Sequence, residues 1–381
     1  MGSQPLRIIG ALNVRESLPS KLKAARMLTG MSTRSVAAKL GRRFPISHAT
    51  VANYESGRSV PPMDILAALA CLYDRPINWF LERGRTLTGV RYRNLKSRVR
   101  ITDLHRFEAD VQRWIDAYVT LEARLKKPLK AIITNFQIPR GSGADDLARL
   151  VRRTLLKLKE NEPVPSVVEV LERFGIRVME NPTDLRIDGL AAKYEKEYVV
   201  VLNPGVSDDR SRLNGAHELA HVLLGDCDKG ENESKEAEQS AFEFGSLLLL
   251  PNSQLKEAFQ GQSMVRLVRF KERFGISLAA MVYRAEKLAF ITKSTAKALW
   301  IEFARRGWRT QEPGNVRPDR ATRFEQLVDE VLANGKMSLK EVADLAGVRP
   351  EAIRQRLNFA MGIHGDYNPE DEGANIVKFP D

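Results

Sequence analysis

In the middle of the chain, His217-Glu218-Leu219-Ala220-His221 combines two metal-binding residue types at a telling spacing. Positions i and i+4 of a helix share a face, so both imidazoles can bind one divalent ion. Glu218 then sits beside that ion, placed as general base toward the water it activates. This is the chemistry of metal-assisted hydrolysis. The chain has only 5 histidines, so finding two at this spacing is informative. Ala216, Leu219, Ala220, Val222, Leu223 and Leu224 offer the helix a buried side. The bland alternative is a pair of satisfied core histidines.

A catalytic zinc needs a third protein ligand and one open position. The acids downstream are Glu231, Glu233, Glu236, Glu238 and Glu243. Glu238 precedes Ala241, Phe242 and Gly245 on one helical stripe of small and apolar residues, and Gly245 would let two helices approach closely. Glu238 is therefore the expected third ligand and Glu236 the next candidate, while Glu231 and Glu233 fall in a polar loop. Zinc is the expected ion, and nitrogen and carboxylate ligands also accept manganese.

These residues need helices and a sheet to hold them. Helical spacing runs through residues 20–82, through 101–127 (Leu104, Phe107, Val111, Trp114, Ile115, Tyr118, Leu121), and through Asp145–Lys159 and Pro165–Phe174. The period then changes. Ile176–Glu180 and Tyr198–Leu202 read as strands and Gly189–Tyr194 as a third, closed by the turn Asn203-Pro204-Gly205. Helices resume over Asp209–Leu250 and Val265–Leu288. Ser338 and Glu341 form a capping box, and Gly347 stops a helix in a C-terminal region of helix-turn-helix character. The fold class is mainly α with an α+β core.

Composition excludes several classes. With 43% hydrophobic and 28% charged residues, the 381-residue chain can build packed cores and is not a disordered chain. Its longest apolar run, Ile65–Tyr73, is too short to span a bilayer. The first ten residues lack a secretory signal pattern. Cys71 and Cys227 suggest neither a disulfide framework nor a cysteine zinc site. A cytoplasmic protein without membrane contact is expected. The net charge is +12, and residues 1–100 hold 18 Lys/Arg against 5 Asp/Glu, whereas the rest holds 42 against 43. The basic excess sits wholly in the first quarter, as for a nucleic-acid module joined to something else.

Tyr198–Asn203, Arg212, the segment Ala216–His221, and the run from Glu238 through Ala241, Phe242 and Phe244 to Pro251 resemble the ImmA/IrrE-type metallopeptidases. Phe274-Gly275-Ile276-Ser277, Ala280 and Arg284 resemble their downstream segment. The resemblance covers about residues 165–290 and implies a small α+β, minimal gluzincin-like domain with the metal helix on a short sheet. Ala220 stands where a glycine is usual, Gly245 where an alanine is usual, and Phe242 where an Asn or Asp is usual. The last change puts hydrogen bonding around the ligands in question. Tyr283 and Arg284 are weak candidates for an oxyanion partner.

Near the N-terminus, Lys21–Leu28, Met31–Gly41 and Ile46–Arg58, continued by Pro61, Leu66, Leu69, Ala70, Leu72 and Trp79, resemble the XRE (Cro-like) helix-turn-helix. A five-helix-type domain is implied, with the start of the third helix in the major groove. That nominates Ser47, His48, Ala49, Thr50 and Asn53 for base edges, and Arg26, Arg42, Arg43 and Arg58 for phosphates. Arg42-Arg43-Phe44-Pro45 lengthens the turn. The insertion either adds backbone contacts or changes the helix angle and makes the module a protein-binding scaffold.

The expected domains are 1–85 (helix-turn-helix), 86–160 (basic linker and long helices), 161–295 (metallopeptidase), 296–360 (C-terminal helices) and 361–381 (a flexible tail). Together the resemblances imply a DNA-binding regulator with a zinc-dependent endopeptidase domain, cleaving a transcriptional repressor in a stress or DNA-damage response. Its partners would be double-stranded DNA and a helix-turn-helix repressor, and a homodimer is admissible. The alternatives are a non-proteolytic transcription factor whose metal domain senses a ligand, and a repressor that cleaves itself. The C-terminal region reads as a packing or regulatory element rather than a second DNA reader.

Overall fold

A computed structural model of the protein describes residues 18–19, 21–23, 25–26, 29–73, 75, 77–81, 87–93, 99–130, 136–139, 141–180, 187–194, 197–226, 235–261 and 263–360. The candidates Glu231 and Glu233, Cys227, and the whole tail with His364 lie outside these residues, as do the side chains of Arg42 and Trp79.

Helical residues 18–19, 21–23 and 25–26 precede α1 (Thr33–Leu40), α2 (His48–Glu55), α3 (Met63–Leu72) and α4 (Ile77–Leu81). These give the five-helix arrangement. Leu22, Val36, Val51, Tyr54, Leu66 and Phe80 meet in its own small core.

A four-stranded sheet organises the rest, from β1 (Leu87–Arg93), β2 (Arg177–Glu180), β3 (Gly189–Tyr194) and β4 (Glu197–Leu202), in the order β1-β3-β4-β2. β3 pairs antiparallel with both β1 and β4, and β2 pairs parallel with β4. Side chains alternate between faces along a strand, and the sheet is buried on both. Val178, Ala191, Val200 and Leu202 enter one core, while Met179, Leu190, Ala192, Val199 and Val201 enter the other.

The first core is covered by α6 (Ala144–Leu150), which runs on into a π-helical turn over Val151–Leu155, and by α7 (Val167–Arg173), α8 (Asp208–Leu223) and α9 (Lys235–Leu249). The smaller helices α10 (Asn252–Ala258), α11 (Met264–Phe274), α12 (Leu278–Lys287) and α13 (Lys293–Arg305) complete it. The second core is covered by α5 (Ile101–Leu125), α14 (Arg323–Ala333), α15 (Leu339–Ala346) and α16 (Pro350–Ala360). The architecture is therefore mainly α around a small α+β sandwich.

Several expectations are corrected. Leu87–Arg93 is an edge strand rather than part of a linker, because it pairs with β3 about a hundred residues away. The reading of the C-terminal helices as a packing element agrees with Val342, Ala343, Ala346 and Ile353, which enter the same core as α5. The capping box of Ser338 and Glu341 and the left-handed Gly347 do bound α15. Pro165 lies outside α7, whose N-cap is Ser166, accepting from the Glu169 N–H. Val265–Leu288 is two helices, because Gly275 takes φ 66° and ends α11. A buried ionic cluster ties the layers. Arg177 donates to Glu122 and Glu197 at 2.6 Å each, and Arg323 donates to Glu122 at 3.0 Å.

Glu172, on α7, is less well served. Burial pushes its carboxyl up to about 7 against the pull of Arg323. Its Oε1 has no hydrogen-bond partner among the described residues. The folded pKa exceeds the ordinary 4.5, so the folded state binds the proton more tightly. Stability is therefore fully present at low pH and falls as pH rises through about 7. Glu172→Gln should change little in acid and raise stability by ~1–3 kcal/mol near pH 8. Denaturant melts at both pH values measure this, and an equal change at both would contradict it.

Candidate metal centre and nucleic-acid interface

α8 is buried almost all round, from Ser211 to Leu223, because the sheet and several helices enclose it. Its charged residues have partners. Asp209 pairs with Lys271 at 2.9 Å, and Arg212 reaches Asp319 at 2.9 Å and the Val164 carbonyl at 2.6 Å. The helix is thus a rigid mount for His217, Glu218 and His221, each only 1% exposed.

α9 crosses α8 where Gly245 faces it. A Cβ there would come within 3.0 Å of the His217 backbone nitrogen and 3.2 Å of the Ala216 carbonyl carbon. With no Cβ there the two helices meet backbone to backbone, and Glu238, two turns earlier, reaches the histidines. Glu238 Oε2 lies 3.2 Å from His217 Nε2, and Oε1 lies 3.1 Å from His221 Nε2. The two Nε2 atoms are 3.0 Å apart. Tetrahedral zinc with bonds of ~2.05 Å would set its donors roughly 3.3 Å apart, so a small outward adjustment accommodates the ion. Two imidazole nitrogens and a carboxylate oxygen converging on one point form a donor set that a divalent cation satisfies. Glu238 is 33% exposed, which leaves the centre open on that side.

The electrostatics agree with the packing. Burial pulls the His221 pKa down, but Glu238, Glu218 and Asp226 outweigh it and raise the value. Burial pushes Glu238 up, and the hydrogen bonds of His217 and His221 outweigh it, holding the carboxyl well below its usual range.

Two residues at the centre carried no signal in the sequence. Asp226 Oδ2 lies 3.0 Å from His221 Nδ1. An ionised carboxylate only accepts, so Nδ1–H donates to Asp226 and fixes the ring, leaving Nε2 as the atom directed at Glu238 and His217. This contact supplies the support that Phe242 cannot. The other is Arg91 of β1, whose Nη2 is 3.5 Å from Glu238 Oε1. Conversely, Glu236 is exposed and outside the cluster. Arg284 is no oxyanion partner, because it donates to the Ser246 and Leu250 carbonyls and to Asn252 Oδ1, each at 2.7 Å. Tyr283 stacks edge-on against Phe242 in a cavity of about 310 Å³ that contains none of the three converging residues.

In the N-terminal domain, Ser32 caps α1, and Gly41 at φ 59° ends it. Residues 41–43 form a 3₁₀ turn, and α2 begins at His48 with Ser47 as its cap, accepting from the Thr50 N–H. Val51 and Tyr54 point into the core, which leaves His48 and Ala49 exposed and Thr50 and Asn53 partly so. Arg43 and Arg58 are exposed. Arg26 is corrected. Its guanidinium makes two hydrogen bonds to Glu55, at 2.6 and 2.8 Å, and one to the Met31 carbonyl at 2.8 Å, so it braces the domain rather than reaching for phosphate.

Residues 22–80 match the family described as "Helix-turn-helix". Residues 171–286 match a peptidase family described as "IrrE N-terminal-like domain". The chain joins the two domains. No curated protein matches it. Among solved structures, the crystal structure of Bacillus thuringiensis PlcR in complex with the peptide PapR7 and DNA aligns over 91% of this chain and 95% of that one, at 15% identity and a TM-score of 0.17. That likeness carries no weight for the fold.

The IrrE-like match includes His217, Glu218, His221 and Glu238. It excludes β1 with Arg91, as well as α5 and α14–α16, which cover the second face of its sheet. Within the IrrE-like domain, Gly245→Ala should force α8 and α9 apart. The expected cost is ~1–3 kcal/mol of stability together with weaker metal binding. Thermal melts and metal titration test this, and unchanged metal binding would contradict it. No helix among the described residues is long and apolar enough to cross a membrane.

Proposed function

We propose that this protein is a DNA-binding regulator whose IrrE-like domain is a zinc-dependent endopeptidase that cleaves a transcriptional repressor in a stress or DNA-damage response. The observation that carries the reading is the convergence of His217, His221 and Glu238 on one point, with Glu218 buried on the same helix as the two histidines. The first three would hold the ion, and manganese fits the same donors. A divalent ion held there supplies Lewis acidity, activating water and polarising a peptide carbonyl. Glu218 takes a proton from the attacking water as its oxygen bonds to the carbonyl carbon. It then returns a proton to the leaving amine nitrogen as the C–N bond breaks. Asp226 keeps His221 in the tautomer that faces inward. The substrate chain would enter on the exposed side of Glu238, and an exposed segment of a helix-turn-helix repressor fits that access.

On DNA, α2 would lie in the major groove, with His48, Ala49, Thr50 and Asn53 toward the bases. Ser47 would remain at the groove edge as the helix cap, and Arg42, Arg43 and Arg58 would approach phosphates. Binding of the full chain to duplex DNA, including that upstream of its own gene, should fall steeply as salt rises. Asn53→Ala should relax sequence preference by ~1–3 kcal/mol, whereas Arg43→Ala should weaken all sequences alike. Salt-insensitive binding, or none to any duplex, would remove this part.

The regulatory reading is tested in cells by comparing wild-type protein with Glu218→Gln at the target promoter. Loss of induction in the variant is expected. Equal regulation by both would replace proteolysis with the ligand-sensing transcription-factor reading. Dilution separates self-cleavage from cleavage of a partner, since a cis reaction has a half-life independent of concentration.

A further inference from the structure

We propose that Arg91 is a positioning residue of the metal centre, holding the Glu238 carboxylate from a bulged edge strand outside the IrrE-like match. The proposal rests on the metal-centre reading above and adds a residue to it.

The strand's register carries the case. Thr88 pairs with Lys193 and Arg91 with Ala191, so three steps along β1 oppose two along β3. Gly89 occupies the extra position at φ 56°, a left-handed conformation that glycine adopts without penalty. One extra residue reverses the alternation of side chains. Leu87, Val90 and Tyr92 all pack against the second core, and Arg91 falls on the opposite face, over Ala191 of the first. Strict alternation from Leu87 would instead have sent position 91 into the second core. The bulge therefore turns a guanidinium toward α8 and α9.

The side chain is only 5% exposed, and its ion pair among the described residues is with Glu238. Its Nε has no hydrogen-bond partner among the described residues. A buried guanidinium is costly unless it meets a carboxylate. Glu238 Oε1 lies toward Arg91 and His221, and Oε2 lies toward His217. A cation at Oε1 fixes the rotation of the carboxylate, holding Oε1 beside His221 and leaving Oε2 directed at His217. Ligating carboxylates are commonly held by such an outer partner, and its loss costs ~10–100-fold in metal affinity.

Zinc affinity of the full chain, measured by competition with a chromophoric chelator, tests this together with the absorption spectrum of the cobalt-loaded protein. Arg91→Met should bind zinc ~10-fold more weakly and change the cobalt spectrum, and Arg91→Lys should recover most of both. A purely packing role would not distinguish Lys from Met in this way. If the Met variant does not fold, Arg91→Gln takes its place, losing the charge while keeping a donor. Wild-type affinity and spectrum in the charge-removing variant would overturn the proposal, as would equal losses in the Lys and charge-removing variants. His217→Ala/His221→Ala is measured alongside. If that protein still binds zinc like the wild type, the centre itself is misplaced. If it loses zinc while the charge-removing Arg91 variant does not, only the role of Arg91 falls.

Discussion

His217→Ala and His221→Ala should each abolish stoichiometric metal in protein that otherwise carries one ion per chain. Each imidazole contributes one of three converging donors, separated by 3.0–3.2 Å. Removing either leaves two donors, too few for a structural or catalytic zinc site. The effect should also appear as lost stabilisation. An ion present at a hundredfold excess over its dissociation constant adds ~2.7 kcal/mol to the folded state. Zinc should therefore raise the melting temperature of the wild type and leave the double variant unmoved. Elemental analysis beside the melts checks both. Metal remaining at one per chain in the double variant would place the site elsewhere.

Glu218→Gln should separate binding from chemistry. The substitution keeps size and removes the proton acceptor, while His217, His221 and Glu238 stay in place. Metal content and DNA affinity should match the wild type, and cleavage should fall by ~10²–10⁴-fold, the range for losing a general base. Rates on a shared repressor substrate measure the drop. A variant that cleaves at the wild-type rate would remove Glu218 from the mechanism.

The parts of this molecule that were legible in sequence are those whose signal is local. The two histidines are one helical turn apart, and Glu238 shares a stripe with Ala241 and Gly245, so helical periodicity alone nominates them. The same holds for the capping box of α15 and for the apolar face of α5. What escaped depends on contacts between distant segments. β1 was hidden twice, by the basic composition around it and by Gly89, whose bulge breaks the period of two that marks a strand. Asp226 follows Gly225, just beyond the end of α8, and nothing in its spacing reveals that it meets His221. Arg26 looked like a phosphate ligand because Glu55, its partner, lies 29 residues away. Arg284 misled for the opposite reason. It follows a motif-like pattern, yet its guanidinium serves the carbonyls at the end of α9.

The helices at the C-terminus show the same division. Their bounds follow from Ser338, Glu341 and Gly347, but their place does not. The Arg113 guanidinium donates to the Gly347 carbonyl at 2.9 Å, fastening α15 to α5 across the second face of the sheet. A sheet with both faces apolar needs such a cover, and Met179, Leu190, Val199 and Val201 show why. The IrrE-like domain therefore stands within a larger sandwich completed by segments from both sides of it in the chain.

Cleavage is tested most directly by the intact mass of a helix-turn-helix repressor after incubation with the zinc-loaded full chain. The wild type should form two fragments whose masses sum to that of the repressor plus one water, and Glu218→Gln should form neither. A repressor that stays whole with the wild type, across candidates drawn from its neighbouring genes and with metal bound at one ion per chain, would contradict the proposed proteolysis.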